Sequence, residues 1–307
     1  MSTWTELASG VWVWRTSALD LSLGLVVGDH SCLVIDTGVD SEHGYEFARA
    51  VREITPLPWQ VVYTHDHYDH WFGTEAFGET KVWAVGAVDT YLSRGRLERE
   101  KLSVRYRKDG EADKARRLGR TRLVPPNSPL VGTVPVDLGG RTVVLRQAGF
   151  AHSDNDAVVE VSDASVLFAG DLFEAGADPS FSDAHPQQWA AVADYLLSWK
   201  PQHVVPGHGD PQDYWWARRQ ARDFAEAARL AHEVRTGLIT ADEAAAHAPF
   251  SEATMRTVIA RTAEFPSAPP APAPEPQIHP APQPPQVRPQ YIEEIWIPPF
   301  PDPPERN

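Results

Sequence analysis

The sequence predicts an α/β protein whose sheets are covered by helices, and three observations carry that reading. Through the first 210 residues or so, short β-branched runs alternate with turn signals. Between several of these runs lie helical patterns, notably at 41–54 and 187–199. The chain has 307 residues, 42% of them hydrophobic, which is enough apolar side chain to bury a substantial core.

In chain order the strand-like runs are 10–14, 23–27, 32–36, 61–63, 82–85, 142–145, 157–161, 166–168 and 203–205. Each is short, rich in Val, Leu or Ile, and reads as a buried strand. From 214 to 264 the pattern is helical, with Ala-rich stretches broken near Gly237 and Pro249. The chain therefore divides into a main domain at 1–212, a helical segment at 213–264 packed on it, and a tail at 265–307. Of the 28 prolines, 16 fall between Pro266 and Pro304. Proline fixes φ and removes a backbone donor, so the tail is expected to be extended or disordered. Its end gathers Tyr291, Ile292, Ile295, Trp296, Ile297 and Phe300. Such a cluster suits contact with the chain's own surface, a sister subunit or another protein.

Between 94 and 122 stand twelve Lys/Arg against five Asp/Glu. This basic insertion reads either as a solvated helical face pairing its charges along the helix, or as a collar that draws anionic substrates to a nearby site. The chain as a whole carries a formal charge of −14, which opposes general affinity for nucleic acid or an anionic membrane. It has no apolar run of about 18 residues, and residues 1–13 lack the features of a signal peptide, so a cytoplasmic location is expected. Cys32 is the single cysteine and reads as core, so any metal site must come from carboxylates and the twelve histidines.

The chemistry concentrates in Thr64-His65-Asp66-His67-Tyr68-Asp69-His70, directly after the run at 61–63. In a loop leaving a strand, His65 and His67 can face one cation while Asp69 and His70 turn toward a second. Imidazole and carboxylate are the ligands zinc accepts when thiolate is absent. Three further elements sit beside strand-like runs with a small residue or glycine next to them: Ala151-His152-Ser153-Asp154, Ala169-Gly170-Asp171 and Pro206-Gly207-His208-Gly209.

This order of motifs resembles the metallo-β-lactamase superfamily over about residues 10–262, which implies a four-layer αβ/βα sandwich with its metal site at one sheet edge. The resemblance implies a catalytic domain at 1–212. It assigns His65, His67 and His152 to a first metal, Asp69, His70 and His208 to a second, and Asp171 to both. Asp36, in Val34-Ile35-Asp36-Thr37-Gly38, looks like the superfamily's early carboxylate that supports the metal loops, a structural turn being the competing reading. His185 is a candidate substrate contact, because 175–186 follows Asp171 closely and is rich in small residues. Two departures stand out. Trp71-Phe72-Gly73 replaces the usual pair of glycines and would make the site floor bulkier, and Ser153 follows His152 where many members have Thr.

The implied activity is that of a hydrolase with two zinc ions, iron or manganese being substitutes. A metal-bridging hydroxide would attack a small-molecule ester, lactone, thioester or amide, with Asp69 orienting it and taking up its proton. Alternatives on the same scaffold are a β-lactamase, a mononuclear iron persulfide dioxygenase and a phosphodiesterase or nuclease. The bridging Asp171 points away from the first, the full second ligand set from the second, and the overall charge from the third.

Overall fold

Alternation along the buried strands builds two cores at once. Along Cys32–Ile35, Leu33 and Ile35 face one apolar cluster while Cys32 and Val34 face another. Side chains on a strand alternate between the two faces of a sheet, so a strand apolar at every position must be covered on both. The computed structural model describes residues 2–264. The proline-rich tail with its apolar cluster at 291–300 lies outside the described residues.

The first sheet has seven strands in sequential order: β1 (Thr3–Ala8), β2 (Val11–Arg15), β3 (Ser22–Val27), β4 (Cys32–Ile35), β5 (Trp59–Val62), β6 (Val82–Ala84) and β7 (Ser128–Pro129). Its first four strands pair antiparallel, and from β4 onward the pairing is parallel. Each parallel step needs a crossover. Helix α1 (Ser41–Ile54) supplies the one from β4 to β5. It starts where the Asp40 side chain accepts from the His43 amide, and Phe47, Ala48 and Val51 line its buried face. After β5 come a single turn, α2 (Tyr68–Trp71), and then α3 (Val88–Lys108) and α4 (Ala112–Arg120), which together form the basic insertion.

The second sheet has six strands: β8 (Thr133–Asp137), β9 (Thr142–Gly149), β10 (Asp156–Val161), β11 (Val166–Glu174), β12 (His203–His208) and β13 (Gln212–Asp213), in the order β13-β12-β11-β10-β9-β8. Its one parallel pair, β11 with β12, is joined through α5 (Pro186–Leu197). Helices α6 (Tyr214–Arg235), α7 (Ala241–His247) and α8 (Glu252–Glu264) follow.

The two sheets meet through Val13, Leu33, Ile35 and Val62 on one side and Leu145, Val159, Phe168 and Val205 on the other. Phe47, Val51, Tyr91 and Leu118 carry helices onto the outer face of the first sheet. Trp189, Leu196, Phe224 and Met255 do the same for the second. The layers run helix, sheet, sheet, helix, as the sequence predicts. Among the described residues no helix is long and apolar enough to cross a membrane.

Candidate metal centre

Strand β5 ends beside the end of β4, and a bridge from Leu21 to His208 brings the end of β12 to the same end of the first sheet, where the motif after β5 emerges. A bond from the Ala157 amide to the Thr64 carbonyl at 2.7 Å ties the sheets together there. His65 leaves β5, and the short turn α2 throws Asp69 and His70 back across it. His152 comes from the loop after β9, Asp171 from within β11 and His208 from the last position of β12. The His152 loop is fixed by Ser153, whose amide and hydroxyl donate to Asp156 at 2.9 and 2.6 Å. Beside His208, Gly207 leaves room for the Asp171 carboxylate, which any Cβ at that position would overlap.

The donors form two groups. In the first, His67 Nδ1 lies 3.0 Å from His65 Nε2 and 2.9 Å from His152 Nε2. In the second, His208 Nε2 lies 3.4 Å and His70 Nε2 3.9 Å from Asp69 Oδ2. Asp171 touches both. Its Oδ2 is 3.4 Å from His152 Nε2, 3.7 Å from His65 Nε2 and 3.5 Å from His208 Nε2, and its Oδ1 is 3.2 Å from His70 Nε2. The seven residues thus come together as His65, His67, His152 and Asp171 and as Asp69, His70 and His208, and Asp171 also reaches His70 and His208 of the second group.

These donors fit a divalent cation. Zinc–nitrogen bonds of about 2.0–2.1 Å in a tetrahedron place neighbouring donors roughly 3.3 Å apart, close to the spacings seen. His70 Nε2 and Asp171 Oδ1 are buried and face each other at 3.2 Å without hydrogen-bond geometry, a costly arrangement that an ion between them would relieve. Charge points the same way. Burial alone would push His208 down, yet the Asp171 and Asp69 carboxylates outweigh it and hold the ring up to about 12. Burial pushes His152 down to about 4 against the pull of Asp171. The buried carboxylates demand positive charge, which a cation can supply in place of protons.

A second layer of contacts aims the imidazoles. Asp36 Oδ2 sits 2.7 Å from His70 Nδ1, and Asp36 also accepts from the Thr64 amide at 2.7 Å and its hydroxyl at 2.8 Å. Asp36 itself has φ 58°, a left-handed conformation that aspartate tolerates better than most residues. His208 Nδ1 donates to the Leu19 carbonyl at 2.8 Å. His67 Nε2 meets Asp183 Oδ2 at 3.0 Å. Arg94 pairs with Asp183 and reaches the wholly buried Asp66 at 3.2 Å.

Asp183 and Arg94 were not legible as site residues. The stretch 175–186 does reach the centre, through Asp183. His185 instead bonds Asp154 through Nε2 at 2.6 Å and the Ala151 carbonyl through its amide at 2.7 Å. Glu98, one helical turn after Arg94, is a further charged residue at this face. Burial pushes its carboxyl up to about 7, with His67 opposing. The bulky pair Trp71-Phe72 is packed away from solvent. Trp71 and Phe72 are fully buried, and Trp71 packs against Gly95 of α3, where a Cβ would strike its ring. Its indole N–H donates to the Asp66 carbonyl at 3.0 Å.

Residues 22–224 match the family profile of the metallo-beta-lactamase superfamily. A curated relative, the acyl-coenzyme A thioesterase MBLAC2 of Gallus gallus, is 28% identical over 238 residues, covering 70% of this chain and 82% of the relative. Among solved structures, a metallo-beta-lactamase from Pontibacter korlensis aligns with TM-score 0.56 and 19% identity over 73% of this chain and 99% of that one. The sec-alkylsulfatase Pisa1 from Pseudomonas sp. aligns with TM-score 0.68 and 16% identity over 85% of this chain and 50% of that one. At these identities the structural likeness speaks for the fold.

Proposed function

Because this chain belongs to the metallo-β-lactamase superfamily, whose members are metal-dependent hydrolases, we propose that it hydrolyses acyl thioesters at a centre of two zinc ions. Iron or manganese would be substitutes. The observation that supports two ions over one is Asp171, whose oxygens lie within 3.2–3.7 Å of a nitrogen from His65, His70, His152 and His208. An oxygenase centre with one ion would leave the second donor group unused.

His65, His67 and His152 would hold one ion, Asp69, His70 and His208 the other, and Asp171 both. Such ions supply Lewis acidity and bring the pKa of bound water near 7. The chain's own residues supply orientation. Asp36, Thr64, Asp183 and the Leu19 carbonyl contact His70, His65, His67 and His208 and so fix which nitrogen of those four rings faces the centre. Asp69 offers a carboxylate at the centre that can orient an attacking water and receive its proton. No thiol nucleophile is available, since Cys32 lies in the core of β4 with burial pushing it up to about 11. Thioester is preferred over ester, lactone or amide on the strength of the thioesterase relative.

Metal analysis of the purified chain, with a screen across acyl-CoA, lactone, β-lactam and phosphodiester substrates, tests this reading. It expects two equivalents of zinc and fastest turnover of the thioester. Asp171→Ala should lose both ions and all hydrolysis, and a full metal complement in that variant would overturn the shared-ligand assignment.

A further inference from the structure

Next to the metal centre is a cavity of about 300 Å³ that the chemistry so far does not use. Its walls include Ala18, Leu19, Val39, Tyr68, Tyr106 and Leu118. Two of these join it to the metal ligands. Tyr68 lies between His67 and Asp69 in the chain, and the Leu19 carbonyl accepts from His208 Nδ1 at 2.8 Å. The cavity therefore shares the loops that carry Asp69 and support His208.

The lining is mixed, with Ser17, Asp40, Lys114 and Arg117 set among aliphatic and aromatic walls. Arg117 is engaged by Asp40 at 3.0 Å, and Lys114 pairs with Glu111 while lying 5.3 Å over the Tyr106 ring. Both cations already have carboxylate partners, and what faces the space is mostly aliphatic or aromatic. The Tyr68 and Tyr106 hydroxyls approach to 3.5 Å and close one side between α2 and α3.

The rim is held in a costly conformation. Leu19 and Asp20 have φ of 56° and 55°, and two left-handed non-glycine residues in succession are uncommon. The turn persists because Arg15 donates to the Asp20 carbonyl at 2.6 Å, as does the Gly209 amide at 2.8 Å. The result is a leucine left 47% exposed at the mouth of the cavity, its carbonyl bonded to His208. Strain of this kind is retained where surrounding contacts impose it, and such places cluster at ligand clamps.

We propose that this cavity takes the acyl chain of the substrate, a saturated chain on the order of ten carbons. The size follows from scale, since a cavity of about 150 Å³ holds benzene. The thioester carbonyl would lie at the donor groups and the chain would run past Leu19 and Tyr68 toward Leu118. The basic insertion then has a role its charge does not suggest: Tyr106 of α3 and Leu118 of α4 are the far wall, and set chain-length preference. This assignment rests on the thioester reading above for its substrate class.

The test uses the full chain loaded with zinc and an acetyl-, hexanoyl- and decanoyl-CoA series. Complete burial of a methylene corresponds to about fourfold in kcat/KM, so the parent should favour hexanoyl over acetyl by on the order of a hundredfold. Ala18→Phe fills the cavity from its rim, and Ser17→Phe does so from the exposed loop in case the first variant folds poorly. Either should reduce the decanoyl-to-acetyl ratio at least tenfold. In parallel, calorimetry of acetate against octanoate reads the cavity without catalysis, with tighter octanoate binding expected in the parent and lost in the variants. If no thioester is cleaved but octanoate binds in this pattern, the cavity assignment stands and the thioester reading falls. Chain length without effect on either readout would overturn the assignment. So would equal chain-length profiles in parent and both variants, the result expected if the cavity held the thiol arm of the leaving group.

Discussion

Replacing Asp183 tests whether the hydrogen bond behind His67 controls metal affinity. His67 presents Nδ1 to the first donor group, and its Nε2 rests on Asp183 Oδ2 at 3.0 Å. That contact fixes both the ring's orientation and the nitrogen that carries the proton. Burial raises the Asp183 carboxyl, and the His67 hydrogen bond and charge more than reverse this, holding it below the usual carboxylate range. The ionised form is thus the one that meets the ring. Loss of such an outer partner typically weakens metal binding 10- to 100-fold, about 1.4–2.7 kcal/mol. Asp183→Asn keeps an acceptor but loses the charge, and belongs at the lower end. Asp183→Ala removes both and leaves Arg94 with Asp66 alone, which belongs at the upper end. Competition against a chromophoric chelator would resolve two binding steps in the parent, with only the first-group step weakened in the variants. Unchanged affinity for both ions in Asp183→Ala would refute the reasoning.

Other features give separate tests. Gly95→Ala puts a methyl group into the Trp71 ring and should cost about 1–3 kcal/mol, roughly 2–4 °C in Tm per kcal/mol. A thermal melt equal to the parent's would show slack at that contact. Stripping metal with a chelator should lower Tm by several degrees, because a ligand at a thousand times its Kd contributes about 4 kcal/mol. Coincident melts with and without chelator would count against metal in the folded state. Several cations of the insertion are paired, Arg105 with Asp109, Arg116 with Asp113 and Arg117 with Asp40 and Glu42. Anionic and neutral substrates should therefore show the same dependence of kcat/KM on salt, and a steep fall past about 0.1 M for the anion alone would restore the collar.

The residues of the two donor groups were legible from the residue types and the order of their motifs, which follow β5 and β9, lie within β11 and end β12. Asp183 and Arg94 were not. Their contact spans 89 residues and depends on how an irregular overhang meets a helix, and neither residue stands out from the acidic and basic residues around it. The packing of Trp71 was hidden for a similar reason. Its bulk is accommodated by a glycine 24 positions later, a pairing visible only when α3 is in place. The interior strands were equally plain from their apolar runs. Strands β1 and β8 were not among those runs, since both are sheet edges with much of their length exposed, and β8 carries Pro135. Edge strands have one neighbour and less to bury, so they leave a weaker apolar signature.

Both donor groups draw on the two halves of the sandwich. His65, His67, Asp69 and His70 follow β5 of the first sheet, while His152, Asp171 and His208 belong to the second. An ion in either group would then act as a rivet through the seam, and the seam could not gape without breaking coordination. The edge that carries the donor groups would then be fastened across the interface by coordination as well as by packing.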